Sequence, residues 1–384
     1  MDHSGAAARP PTVIDVANLA GTSRQTVSNV IHGKAHVREQ TRKRVLAAIA
    51  ELEYRPNVAA RHLKRRRTNV LGVLVGDLAN PFYSEAARHI EHYAEQRGYT
   101  MLLASTGGER ETEQRRVESL IEHRVAAVIF LAYSSQQPTI EYITCVFVAG
   151  LPTSHGVFIG VDERKSAEQA TSFLLSLGHR RIGYVNTIVS SHPDSDKARF
   201  AGYRRALSKA GIGLDDALVV RLGSGIETPE SVRQHDLQRM LSGPGRPTAV
   251  LCAADYTALQ VMDCADGLGL AIPQQLSIVG FDDTAYSALR RISLTTVSYP
   301  LREIARLSVD AAVGALEDSA PKRNRILMQP ELVVRGSTAL APTSPETVDP
   351  PATDASPDEQ RRPQVRRSVS TVDTVRVRRP RNAR

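Results

Sequence analysis

Arg24, Gln25, Thr26 and Asn29 form a cluster whose side chains match the edges of base pairs. An arginine fork suits the O6 and N7 acceptors of guanine, and a glutamine or asparagine amide suits N6 and N7 of adenine. Further on, Lys64-Arg65-Arg66-Arg67 is a run of cations suited to phosphates. Leu63, apolar amid charge, is suited to wedging between base steps in a minor groove. No grouping has the spacing of a catalytic site: P-loop, HExxH and GxSxG are absent, and the chain reads as a non-enzyme with no cofactor or metal. Asp282-Asp283 could be an acid/base pair, but adjacent strand residues face opposite ways.

The elements that must hold these side chains are legible in spacing and caps. Thr12 with Asp15 is a capping box opening a helix with Val16, Ala17 and Ala20 on one face, and Gly21 ends it. Ser23 caps the next helix, whose stripe is Val27, Val30 and Ile31. Helix, glycine turn and helix make a helix-turn-helix, whose second helix offers its N-terminal residues to the major groove. Val45, Ile49 and Leu52 on a third helix close the core. The same pattern also suits a helical hairpin with a solvated polar face, and the cations a solvated linker. Pro56 breaks the third helix, and Asn57 caps a short segment from Val58 to Leu63.

Composition narrows the function class. A chain of 384 residues implies two or three domains. No apolar run approaches the roughly 18 residues of a membrane span, and the first residues lack a signal peptide's apolar core. Cys145, Cys252 and Cys264 make no CxxC pair and read as buried free thiols. A cytoplasmic location is expected. Residues 1–67 carry a net +8, residues 68–340 a net −3 and residues 341–384 a net +3. The nucleic-acid footprint is therefore N-terminal.

From Asn69 onward strand-like and helix-like runs alternate: Val70–Val75, Phe82–Arg97, Met101–Ala104, Glu109–His123, Ala126–Leu131, then Arg181–Val185, Lys197–Ala210, Leu218–Leu222, Glu230–Leu241, Ala249–Cys252, Tyr256–Leu268 and Leu276–Gly280. Repeated βα units imply parallel sheets, and about 270 residues of them imply two lobes. The final strand-like run is Ile326–Val334. The expected divisions are a helix-turn-helix domain (1–56), a hinge and basic linker (57–67), a bilobed core (68–340) and a Pro/Arg-rich tail (341–384) that lacks the apolar content to fold. The tail reads either as a solvated appendage or as a nonspecific nucleic-acid tether.

The N-terminus resembles lactose-repressor (LacI/GalR) family transcription regulators. The residues that carry the resemblance are Asp15-Val16-Ala17, Ala20-Gly21, Ser23, Thr26-Val27-Ser28, Thr41-Arg42, Val45, Leu52, Tyr54, Pro56-Asn57 and Leu63. It continues through Asn80-Pro81-Phe82, Leu177 to Gly183, Gly280-Phe281-Asp282-Asp283, Leu294 to Val297 and Arg335-Gly336-Ser337-Thr338. The resemblance implies an α/β chain: a three-helix helix-turn-helix domain before a periplasmic-binding-protein-like core of two parallel-sheet lobes, with crossovers near residues 165, 297 and 325. It places Ser23, Arg24, Gln25, Thr26 and Asn29 against DNA, together with Ala60, Leu63 and Lys64 of the hinge. It implies a homodimer, or a higher oligomer, on a near-palindromic double-stranded operator, with core helices such as Phe82–Arg97 at the interface.

The resemblance also implies a small effector, sugar or nucleoside-like, between the lobes, touched by Phe82, Tyr83, Asp162, Arg199, Asp255, Asp282 and Tyr299. Two of these have simpler readings: Arg199 as a surface helix residue, Asp282 as a helix cap at Thr284. The chain departs from the family at Ala149-Gly150, where Asp-Arg is frequent, and at Glu163, where Asn is common. Gln260 stands for a usual Gly, Tyr299 for a frequent Gln, and Arg38 for a Ser or Thr cap. The cleft thus loses polar ligands and gains bulk, which puts a common sugar in doubt. The expected function is a ligand-controlled repressor. The alternatives are an architectural DNA-binding regulator with a non-functional cleft and, from another class, an exported solute-binding protein.

Overall fold

A computed structural model describes residues 9, 11–31, 33–34, 36–54, 68–107, 109–131, 143–148, 156–188, 193–223, 230–317 and 325–342. The hinge readings at Pro56, Asn57, Ala60, Leu63 and Lys64 and the tail beyond 342 lie outside the described residues.

Three helices come first: α1 (Val13–Leu19), α2 (Arg24–Ile31) and α3 (Glu39–Glu51). The expected capping box is present at Thr12 and Asp15. Gly21 turns the chain at φ +59°. The Ser23 hydroxyl accepts the Thr26 N–H at 3.1 Å. Val16, Ala17, Ala20, Val27, Val30, Val45 and Ala48 make a closed core, with Ile31, Ile49 and Leu52 packed against it. Arg38 leads into α3 without a side-chain cap.

The first lobe begins with β1 (Val70–Val75), α4 (Pro81–Gln96), β2 (Thr100–Ser105), α5 (Arg110–Glu122), β3 (Ala127–Phe130), β4 (Thr144–Val148) and β5 (Val157–Val161). The second contains α6 (Glu163–Ser176), β6 (Ile182–Ile188), α7 (Pro193–Lys209), β7 (Val219–Gly223), α8 (Glu230–Leu241), β8 (Ala249–Cys252), α9 (Asp255–Gly267), β9 (Ser277–Asp282) and β10 (Thr295–Ser298). The chain then returns to the first lobe for α10 (Leu301–Leu316) and β11 (Arg325–Met328), and ends in the second with β12 (Glu331–Val333). The first sheet runs β11-β5-β4-β3-β1-β2 and the second β12-β10-β9-β8-β6-β7. Most strands are buried throughout, as in AVIF, VFIGV and AVLC, because helices cover both faces of a parallel sheet. Cys145, Cys252 and Cys264 are buried free thiols.

The run expected as one strand over Ile326–Val334 is two strands in two sheets, split at Gln329-Pro330. Proline has no N–H for a ladder, and the chain changes lobes there. β12 is also antiparallel to β10, unlike its neighbours. The cause is length: two residues after leaving β11 at the lobe boundary, β12 starts at that boundary and can only run away from it. The other crossings are equally short, from β5 to α6 and from β10 to α10, so these strands all end facing the space between the lobes.

Candidate functional sites: the α2 surface and the interlobe cluster

The α2 surface is small and preformed. Ser23, Arg24 and Gln25 are exposed, and Thr26 and Asn29 half-buried, over the apolar underside of the helix. Ser23 and Thr26 hydroxyls lie 2.9 Å apart. The Gln25 amide donates to Asn29 Oδ1 at 3.1 Å, and the Asn29 amide donates to His36 Nε2 at 3.3 Å. Arg24 is left free of any ion pair among the described residues, so its fork is available. His36 was not singled out in the sequence, because its link to Asn29 crosses the α2–α3 turn.

The interlobe cluster is buried. Asn80 caps α4 by accepting the Phe82 N–H at 3.1 Å, with Pro81 opening the first turn. That turn sends Phe82 and Tyr83 toward the second lobe. Phe82 meets the Tyr299 ring edge to face, 5.5 Å between centroids. Glu85, next along α4, accepts the Ala285 N–H of the second lobe at 2.8 Å.

Arg199 on α7 sits at the centre, 8% exposed. Its Nε donates to Glu163 Oε2 at 2.7 Å. Nη1 donates to the Ala253 carbonyl and Nη2 to the Tyr299 hydroxyl. That hydroxyl in turn donates to Glu163 Oε1. The guanidinium lies 4.0 Å above the Phe281 ring. Gly202 makes this possible: a Cβ there would stand 2.1 Å from the Arg164 carbonyl, so only glycine lets α6 and α7 close enough to join Glu163 and Arg199. Burial pulls the Arg199 pKa down, but Glu163, Tyr299 and Asp282 together more than offset it, and the group stays charged.

The expected residues divide. Phe82, Tyr83, Arg199, Asp282 and Tyr299 are brought together and all are buried. Asp162 is exposed and caps α6, accepting the Lys165 N–H at 3.0 Å. The carboxylate that reaches Arg199 is its neighbour Glu163. Asp255 is committed to the second lobe: it accepts from Thr284 N–H (2.8 Å), Thr284 hydroxyl (3.1 Å), Ser287 hydroxyl (2.5 Å) and Thr296 hydroxyl (2.6 Å). Gly280 leaves room for it, since a Cβ there would lie 2.4 Å from Asp255 Oδ1.

Asp282 does not cap a helix at Thr284; turns follow it, and Asp255 takes the Thr284 N–H. Asp282 and Asp283 do part company, though not by strand alternation. Their φ values of +122° and +57° turn the chain, leaving Asp282 buried while Asp283 pairs with Arg335 at 2.6 Å. Burial pushes the Asp282 carboxyl well above the usual range, against the pull of Arg199.

Comparison with known proteins decides the family. Residues 12–57 match the bacterial regulatory proteins, lacI family, and residues 171–338 match the periplasmic binding protein-like domain. The chain is 31% identical over 337 residues to the ribose operon repressor of Escherichia coli (strain K12), covering 85% of this chain and 99% of that protein. The chain belongs to the LacI family. It is therefore a DNA-binding transcription regulator. It is 34% identical over 321 residues to the HTH-type transcriptional regulator GalR of Escherichia coli (strain K12), covering 81% and 90% of the two. The lac repressor dimer bound to operator and the anti-inducer ONPF superposes with a TM-score of 0.73 at 28% identity, over 86% of this chain and all of that one. No helix among the described residues is long and apolar enough to cross a membrane.

Within this LacI-family core, two departures prove to be partners. Glu163 and Tyr299 bond each other and share Arg199. Sequence reasoning marked both as oddities and missed the pairing, since the positions are 136 residues apart. It also missed Asp196, one turn before Arg199 on α7. Burial pushes Asp196 up to about 7; Arg199 pulls it down and Glu163 adds to the rise.

Proposed function

We propose that the chain is a repressor whose operator affinity is set by a small molecule bound between the core lobes, acting in the cytoplasm as a homodimer on a near-palindromic site. The observation that carries the DNA half is α2 itself. A Ser23-capped helix buries Val27 and Val30 while exposing Arg24 and Gln25, with Asn29 aligned one turn on. Arg24, Gln25 and Asn29 read bases, while Ser23 and Thr26 fix the helix end on the backbone. Ala60, Leu63 and Lys64 belong to the proposed hinge (57–67) between the reading domain (1–56) and the core (68–340), with 341–384 as a tail. One such helix reads only a few base pairs, so two-fold symmetry follows. The solved lac repressor, a dimer on operator, supports the same arrangement.

The test is selection of bound duplexes from a random pool, followed by binding isotherms. The expected result is a near-palindromic site whose preference relaxes at one position per half-site in Arg24→Ala. A pool showing no enriched sequence overturns the reading.

One observation favours a second reading, a regulator with a closed and unresponsive cleft: Arg199 already has internal acceptors for Nε and both Nη atoms. A thermal-shift screen of small molecules on the full chain separates the two, because a ligand that binds only the folded state raises Tm.

A further inference from the structure

Three polar atoms on β6 and the first turn of α7 are buried without a hydrogen-bond partner among the described residues: Tyr184 Oη, Asn186 Oδ1 and Ser195 Oγ. Their residues are 1%, 7% and 5% exposed. Such atoms cost free energy unless something fills the space beside them. They converge by geometry. Tyr184 and Asn186 alternate along β6 and so share a face, at the strand end nearest the lobe boundary. Tyr184 packs on Phe200 and Tyr203 of α7, 5.2 Å from each. Ser195 lies one helical turn before Arg199 on that helix, and Asp196 is its neighbour. The Tyr184 hydroxyl is held neutral first by burial and then by the field of Asp196.

Carboxyl groups outnumber cations around them. Glu163, Asp196 and Asp282 all act on the same centre, and Arg199 is the cation that pulls Asp196 and Asp282 down. Glu163 holds its Nε, and its Nη atoms donate to Ala253 and Tyr299. The segments that follow β3, β4, β6 and β7 in sequence (132–142, 149–155, 189–192 and 224–229) contain Glu141, Glu227, His155 and His192 but no Lys or Arg. Burial favours the neutral form of Asp282 and Asp196, and a neutral polyol would leave their protons in place. A ligand with a positive nitrogen would draw those protons off and pair with the carboxylates left behind.

We propose that the interlobe site takes a cationic small molecule: an ammonium or guanidinium group seated among Asp196, Asp282 and Glu163, on a hydroxyl- or amide-bearing frame that meets Tyr184, Asn186 and Ser195. This rests on the reading that an effector binds between the lobes. Because the Asp196 carboxyl titrates near 7, a bound cation expels its proton, so affinity rises between pH 6 and pH 8.

The test uses the full chain at physiological salt, with glucosamine, galactosamine, agmatine and spermidine set against glucose, galactose, ribose and adenosine. The expected result is a saturable rise in Tm with at least one cationic probe. Calorimetry in two buffers of different ionisation enthalpy shows proton release, and affinity falls about tenfold or more in Asp282→Asn and Asp196→Asn. A rise with a neutral probe alone, lost in Arg199→Lys, overturns the cationic class and leaves the effector reading standing. No rise with any of the eight overturns both. A rise with cations that persists unchanged in both Asn variants places them on the outer surface and overturns the site.

Discussion

The α2 surface and the interlobe cluster use the same kinds of side chain to opposite ends. On α2, Arg24 is exposed and free of ion pairs, and Gln25 and Asn29 are tied to each other only lightly, at the protein surface. In the cluster, Arg199 is buried and held by a carboxylate, a carbonyl, a phenol and an aromatic face. An exposed cation costs little to keep, and its hydrogen bonds stay open to an outside partner. A buried cation must be paired before anything else arrives, so whatever binds must displace or complement those partners. The first region is built to be completed by a partner; the second is largely completed by itself.

The sharpest way to break this comparison is to truncate one arginine in each. Arg199→Ala leaves Glu163 buried without its cation and should lower core stability by about 3–5 kcal/mol in urea unfolding. Glu163→Gln, which removes the stranded charge as well, should recover part of that in the Arg199→Ala background. Arg24→Ala should leave unfolding unchanged and cost about 1–3 kcal/mol on the operator, read by fluorescence anisotropy. Equal stability losses in the two would dissolve the contrast.

A smaller effect sharpens the view of the reading domain. Arg38 opens α3 with no side-chain cap, so Arg38→Ser should stabilise the three-helix unit by about 1 kcal/mol, visible as a higher Tm. An unchanged Tm would mean the helix end is already satisfied. The smallest effect is one of slope. A carboxyl raised from its ordinary value to about 7 in the folded protein binds its proton more tightly there than in the unfolded chain. Asp196 should therefore contribute stability below about pH 4 that is lost as pH rises toward 7. Asp196→Asn should flatten unfolding free energy over that window. The groups facing Asp196 are Arg199 and Glu163, with Tyr184 and Tyr83 neutral throughout.

The two regions also differ in how much the sequence could say. Caps and stripes specify α1 to α3 within a few residues of one another, so Thr12–Asp15, Ser23 and the Val27–Val30 stripe were readable directly. The alternation of β and α was readable for the same reason, down to Glu230–Leu241 and Ala249–Cys252. The cluster was not, because its bonds join residues 36, 100 and 136 positions apart. Resemblance supplied Arg199 and Asp282. It could not supply Glu163 as a partner, since that residue is itself a departure. The direction of β12 was hidden too, because it follows from where β11 ends rather than from anything in Glu331–Val333.

The three lobe crossings have a consequence for how the protein is made. α10, which packs on β3, β4 and β5, and β11, which edges that sheet, follow all of the second lobe but β12 in sequence. On the ribosome the β3–β5 part of the first lobe's apolar sheet therefore stands uncovered by α10 while most of the second lobe is synthesised, and closes only when Leu301–Met328 emerge. The reading domain needs nothing beyond α3 and is complete long before. During synthesis, then, a nascent chain that already carries its DNA-reading helices has an unfinished core. At about 5–20 residues per second, that interval lasts on the order of ten seconds or more, and it is when the chain most needs protection from aggregation.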